Sequence, residues 1–131
     1  MHFFISMDPP TKTQQEHRIG KRKDGSMYMY EDRDLKEVRR KLYKAVAPHV
    51  PNTPFSEAVR LVVKWCFPKG KHPDGEYKTS KPDTDNLNKM LKDEMTKAGF
   101  WEDDALVASE IIEKFWAEIP GIYIEIERCK K

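Results

Sequence analysis

The chain has 131 residues, 38% of them apolar and 35% charged, with 24 Lys plus Arg against 22 Asp plus Glu for a net charge of +2. That length suits one domain around one core and is too short for two ordinary ones, and fourteen aromatic residues exclude a disordered chain. A near-neutral total does not announce a polyanion partner, but the charge is segregated: Lys12, Arg18, Lys21, Arg22 and Lys23 face the single acid Glu16 near the start, while residues 102–131 hold eight acids against four bases.

Residues 1–7 are apolar but far too short to span a membrane, and they lack the basic start and cleavage site of a secretory signal, so they read as a first strand. Asp8, Pro9 and Pro10 break the run. A polar stretch then leads through Asp24 and Gly25 into Met27, Tyr28, Met29 and Tyr30; Asp-Gly between two short segments signals a hairpin, although its first arm is polar enough to be a loop. From Asp34 the pattern turns helical, with Leu35, Val38, Leu42, Ala45 and Val46 on one stripe, Asp34 and Glu37 spaced as a capping box, and Pro48 ending it.

Val59, Leu61, Val63, Trp65 and Phe67 alternate with Arg60 and Lys64, which predicts a strand with one face on the core. Residues 68–80 carry Lys69, Lys71, His72 and Lys78 among Gly and Pro, and read as a flexible basic loop. A second helix is expected from about Asn86 to Gly99, with Leu87, Met90, Leu91, Met95 and Ala98 on its apolar stripe. Trp101, Glu102, Asp103 and Asp104 make an acidic turn. Residues 105–119 suit either a helix or a strand. After Pro120 and Gly121, Ile122, Ile124 and Ile126 alternate as a final strand, expected to pair with the segment before the turn. The sum is a single α+β domain, a mixed β-sheet packed against two main helices. Two cysteines without paired spacing, Cys66 and Cys129, fit a reducing cytoplasm, and no segment is suited to a membrane.

The segment from Lys81 to Lys89, followed by Asp103 and Asp104, gathers carboxylates and a lysine near helix and turn ends. Such a set suits Mg²⁺, which takes a few carboxylates and keeps several waters, and it matches metal-assisted phosphodiester hydrolysis. Each member also has a plainer reading: Asp85 a helix cap, Asp83 a turn residue beside Pro82, Asp103 and Asp104 a turn or cap, Lys89 a solvated helix lysine. An EF-hand loop starting at Asp83 is excluded, because Leu87 and Asn88 stand where an oxygen ligand and Gly are required.

Lys81-Pro82-Asp83-x-Asp85-Asn86-Leu87-x-Lys89, then Asp93, then Gly99-x-Trp101-x-Asp103-Asp104 and Lys114, resembles the signature of the RusA-like crossover junction endodeoxyribonucleases. The resemblance implies that Asp83, Asp85 and Asp104 bind Mg²⁺, with Mn²⁺ able to substitute, that Lys89 serves catalysis, and that Asp103 is an auxiliary ligand or orienter. It makes residues 105–119 a strand, and it suggests that Asp93 holds Lys89 by an i, i+4 contact. It further implies resolution of Holliday junctions by paired symmetric nicks in recombination and repair, by a homodimer whose two-fold axis matches two cuts, in a phage or prophage setting. Carboxylates that hold metal repel phosphates, so basic residues must draw the DNA in. Lys12, Arg18, Lys21, Arg22, Lys23, Lys69, Lys71, Lys78 and Lys81 are the candidates. Trp65, Phe115 and Trp116 read as core. Other expectations that stay open are a nuclease for other branched DNA, a branched-DNA binding module that does not cut, and a small cation-binding structural protein.

Overall fold

The alternating segment at 59–67 becomes the spine of the molecule. A computed structural model describes residues 1–13, 17–31 and 33–130, without the side chains of 17–20, 28–31 and 33. In chain order its elements are β1 (His2–Ser6), β2 (His17–Lys21), β3 (Met27–Glu31), α1 (Arg33–Val46), β4 (Val59–Pro68), α2 (Thr84–Ala98), β5 (Val107–Ala117) and β6 (Gly121–Arg128). Two short 3-10 turns, Ala47–His49 and Asp104–Leu106, follow α1 and precede β5.

A four-stranded sheet runs β1-β6-β4-β5, and β2 and β3 form a separate hairpin. The sheet is mixed: β4 pairs β5 in parallel and β6 antiparallel, and β1 closes on β6 antiparallel. Its inner face presents Val59, Leu61, Val63 and Trp65 from β4 and Ile122, Ile124 and Ile126 from β6, all fully buried. Against them lie Leu35, Leu42 and Val46 of α1 and Leu87, Leu91 and Met95 of α2, also fully buried. Each such side chain contributes about 1.5–3 kcal/mol relative to exposure, so the helix–sheet contact fixes where α2 lies.

Both helices start earlier than their sequence patterns suggest. The helix of α1 includes Asp34 in its first turn, where a carboxylate suits the positive end of the helix dipole rather than capping it. For α2 the N-cap position falls on Asp83, whose side chain makes no capping bond, and the helix ends at Gly99 in the left-handed conformation at φ 100°. The first arm of the hairpin, polar as it is, does form a strand. Asp24 Oδ1 accepts from Ser26 N (2.8 Å) and Ser26 Oγ (2.7 Å), and Gly25 takes φ 92° in the turn.

Two expectations are corrected. The final strand does not pair with the one before the turn: β6 lies between β1 and β4, and β5 takes the far edge. Burial explains the order, since β6 has three fully buried isoleucines and β5 has no buried residue, so the more apolar strand takes the interior place. Residues 118–120 cross the end of β4 and span two strand spacings, roughly 10 Å, which three extended residues can cover. Gly121 permits the close approach of β1, because a Cβ there would stand 2.2 Å from Phe4 Cζ and 2.4 Å from the Ile5 carbonyl oxygen.

The second correction concerns residues 68–80, which are stitched to the free edge of β5 rather than loose. Gly75 N donates to Trp116 O (2.8 Å), Trp116 N to Glu76 O (2.8 Å) and Lys78 N to Lys114 O (3.0 Å), and Asp74 Oδ1 accepts from Glu118 N (2.9 Å). An exposed strand edge carries unpaired backbone groups, and this segment satisfies them. Among the described residues no helix is long and apolar enough to cross a membrane.

Candidate active site

Helical spacing sets the geometry of the acidic segment. Asp85, Lys89 and Asp93 recur every four residues along α2 and so share one face, opposite the buried stripe of Leu87, Leu91 and Met95. Lys89 Nζ donates to Asp93 Oδ1 at 2.8 Å, the i, i+4 contact anticipated from the sequence. Arg39 reaches across from α1: its Nη1 lies 3.1 Å from Asp93 Oδ2 and 3.3 Å from Glu94 Oε2. Glu94 is itself buried and bonded by Lys97 Nζ at 3.1 Å. A buried carboxylate needs such partners, so the two helices are locked together directly beneath Lys89.

This network also sets the charges. The hydrogen bond to Asp93, followed by the fields of Asp93 and Asp104, raises the Lys89 ammonium above the ordinary lysine value against desolvation and the charge of Arg39. For Asp93 the largest influence is partial burial, which pushes its carboxyl up, but the bonds from Lys89 and Arg39 outweigh it and hold the group below the usual value. Lys89 is therefore a fixed cation at neutral pH, within electrostatic reach of Asp104.

Asp104 opens the 3-10 turn that packs against α2, and it is half-buried. Trp101, buried just before it, ties the turn to the helix by donating from Nε1 to Thr96 Oγ1 at 2.7 Å, which gives the tryptophan of the motif a physical reason. Asp103 has the plainer role as well: it caps the turn, with Oδ1 accepting from Ala105 N at 2.8 Å. Asp85 is no cap. It lies exposed in the first turn of α2, its Oδ1 accepting from Asn86 N at 3.0 Å.

Asp83 and Asp104 open into separate hollows. Asp83 borders one of about 150 Å³ with Thr11, Lys12, Thr13, Lys81 and Asn86. Asp103 and Asp104 border another of about 400 Å³ with Arg39, Asp93 and Lys97. Among the described residues no three Asp, Glu, His or Cys side chains converge as a ready cation cage. The motif thus places Asp104 by Lys89 and Asp83 and Asp85 together at the start of the same helix, without a closed cluster.

Two supports have a structural role that the sequence does not give, although Lys114 belongs to the signature quoted above. Lys114, on β5, donates from Nζ to the carbonyl oxygens of Ser80 and Pro82, both at 2.7 Å, and so clamps the backbone that leads into Asp83. Asn88, almost fully buried, accepts from Trp65 Nε1 at 2.7 Å and donates to Glu110 Oε1 at 2.8 Å, while Lys92 Nζ bonds Glu110 Oε2 at 3.1 Å. A polar residue set in the otherwise apolar stripe of α2 was the sequence signal for that network.

Of the basic candidates, Lys12 and Lys81 line the hollow at Asp83, with Lys12 Nζ 3.8 Å from Asp34 Oδ2. Lys21, Arg22 and Lys23 are exposed at the tip of the β2–β3 hairpin, and the side chain of Arg18 lies outside the described residues. Lys71 is exposed and Lys69 half-buried. Lys78 is a correction. It is only 8% exposed, its Nζ 4.3 Å from the Trp116 ring centre and bonded to Ser80 Oγ, and burial followed by the charge of Lys114 lowers its ammonium below the ordinary value. It holds the stitched segment on β5 instead of facing solvent. Of the aromatics, Trp65 is core and Trp116 packs at the core's margin, carrying His72 stacked flat at 4.2 Å; Phe115 instead stacks with exposed Tyr77 at 4.8 Å, outside the core.

The family model described as endodeoxyribonuclease RusA matches residues 8–127. A crossover junction endodeoxyribonuclease of Lactococcus phage r1t is 32% identical over 127 residues, which cover 95% of this chain and 95% of the phage protein.

Proposed function

The chain belongs to the RusA family of endodeoxyribonucleases, and from that premise we propose that it resolves four-way DNA junctions by paired symmetric nicks in recombination and repair. The observation that carries this reading is the Asp85–Lys89–Asp93 face of α2, exposed at Asp85 and Lys89 and half-buried at Asp93, with Asp83 at its start and Asp104 within electrostatic reach of Lys89.

Asp83, Asp85 and Asp104 would hold the divalent cation, with Asp103 as an auxiliary. Among the described residues no three such side chains converge on one point, but the donor set is all carboxylate oxygen, exposed at Asp83 and Asp85 and half-buried at Asp104. That fits Mg²⁺, or Mn²⁺ in its place, which is commonly held by one or two carboxylates and completes its shell with water and phosphate oxygens. When bound, the cation supplies Lewis-acid polarisation of the phosphate and lowers the pKa of water.

The remaining chemistry falls to the side chains. A water oxygen attacks phosphorus and gives up a proton to solvent, the bond from phosphorus to O3′ breaks, and O3′ takes a proton from solvent to leave as a hydroxyl, giving 5′-phosphate and 3′-hydroxyl ends that a ligase can join. Lys89, held charged by Asp93, offsets the negative charge that builds on the phosphate oxygens. Asp93 and Arg39 are positioning residues for Lys89, as Lys114 is for Asp83. Lys12 and Lys81, beside Asp83, counter the repulsion between carboxylates and phosphates, and Lys21, Arg22, Lys23, Lys69 and Lys71 extend the attraction.

Two cuts at equivalent positions call for two copies of the site, so the working assembly is a two-fold homodimer. A monomer in sedimentation with and without junction DNA would contradict it. The test of the substrate is a side-by-side cleavage of a four-way junction, a flap and a linear duplex in Mg²⁺, Mn²⁺ and Ca²⁺. The junction is expected to be cut far faster than the others. Preferential cutting of the flap would transfer the activity to other branched DNA, and binding without cutting would make the chain a recognition module.

A further inference from the structure

The sequence places its basic candidates in the N-terminal stretch and in residues 69–81, all ahead of or beside Asp83. A second cationic wall stands toward the C-terminal end of α2. Helix α1 carries Lys36, Arg39, Arg40, Lys41 and Lys44 against Asp34 and Glu37, a surplus concealed by the neutral total. Lys36, Arg40, Tyr43 and Lys97 line a cleft of about 320 Å³ between α1 and α2. Arg39 and Lys97 border both this cleft and the hollow that contains Asp104, so the two lie side by side.

The cleft is accessible. Arg40 and Lys97 are 64% and 60% exposed in their side chains, and Tyr43 is 39% exposed. The acids that pair with them do not cancel the field: Glu94 is buried and shared between Lys97 and Arg39, and Glu37 meets Arg40 at a loose 3.7 Å. Lys36 is exposed at the rim. A path lined on both sides of an acidic cutting centre by cations suits a continuous phosphate backbone better than an isolated anion, because the strand must enter and leave the site.

From this adjacency we infer that the α1–α2 cleft, through Lys36, Arg40 and Lys97, carries the sugar-phosphate backbone of the DNA as it leaves the cutting centre on the side away from Lys12 and Lys81. The inference rests on the reading of the chain as a junction-cutting nuclease. It makes α1 a DNA-contacting helix as well as a structural one.

The test compares the salt dependence of junction binding in the unaltered protein, in Lys36→Gln/Arg40→Gln, and in the charge-matched control Lys64→Gln/Lys130→Gln on other surfaces. Each phosphate contact contributes about 0.9 to the slope of log affinity against log salt and a two-fold dimer makes each contact twice, so the cleft variant should lose about 3.6 from the slope and the control far less. The rate of cutting at saturating DNA should be unchanged in both. Lys97→Gln alone should lower the slope by about 1.8, one contact from each protomer, which supports the inference independently of how the double variant folds. A slope equal to that of the unaltered protein in both cleft variants, with junction cutting intact, would overturn this inference alone. Failure of the unaltered protein to bind any branched DNA would overturn it together with the reading beneath it.

Discussion

Replacing Lys114 with methionine removes an ammonium while keeping the hydrocarbon stem on β5. Two hydrogen bonds are lost, from Nζ to the carbonyl oxygens of Ser80 and Pro82, each 2.7 Å long. Hydrogen bonds from a charged donor contribute about 1.5–3 kcal/mol each when protected from water. The bond to Ser80 is exposed and counts for less, so the pair is worth roughly 2 kcal/mol in all. For a chain of this length that lowers Tm by about 6–8 °C. The functional consequence is larger, because the freed backbone leads straight into Asp83. Loss of a group that orients a metal ligand typically weakens metal binding about 10–100-fold, so half-saturating Mg²⁺ for nicking should rise by about that factor. Lys114→Arg retains a charged donor and should recover most of it. Tm by circular dichroism and nicking rate against Mg²⁺ concentration are the two readouts. A methionine variant that melts early yet needs no more Mg²⁺ would refute the positioning role and leave Lys114 a purely structural clamp.

Asp83→Asn and Asp104→Asn should each abolish nicking while junction affinity in a gel-shift titration is retained or improved, since a charge that repels phosphate is lost and the basic surface remains; full activity in either would remove that residue from the site. Lys89→Ala should lower the nicking rate by about 100–1,000-fold at saturating DNA with little change in Kd, measured by single-turnover kinetics, and a change confined to Kd would contradict its place in the chemistry. The Asp93 carboxyl lies below its ordinary value of 3.8 when folded, so its stabilising contribution is complete above that value and disappears as pH falls through the lowered one; Tm should drop on that acid limb, and by less in Asp93→Asn. The raised Lys89 contributes fully below 10.5 and is lost as pH climbs past its folded value, so melting curves should show no transition from this pair between about pH 5 and 9. Trp65→Phe leaves Asn88 Oδ1 without its donor in the core and should cost about 1–3 kcal/mol by urea unfolding, with no change in the Mg²⁺ requirement.

The elements with strong periodicity were legible in the sequence. The period-2 alternation of Val59 to Phe67 and the helical stripe of Leu87 to Met95 are the two surfaces that meet in the core, and burial enforces them. Strand order was not legible. The neighbours of β6 depend on which strand best fills an interior place, a comparison between segments far apart that a local pattern does not contain. Residues 68–80 misled for a related reason: Gly, Pro and Lys mark a loop, but the free edge of β5 recruits its backbone and turns Lys78 inward. Within the site, the spacing of Asp85, Lys89 and Asp93 could be read directly because a helix converts i, i+4 into adjacency. Arg39 and the carbonyl contacts of Lys114 could not, since both come from other elements and are visible only once α1 and β5 are packed against α2.

The most direct test of paired cutting by this site is to map both strands of a synthetic mobile four-way junction after incubation with Mg²⁺, then seal the products with ligase. Nicks are expected at symmetry-related positions in two opposed strands, each with a 5′-phosphate and a 3′-hydroxyl, sealed without further processing. Unpaired cuts scattered along one arm, or ends that ligase cannot join, would contradict it.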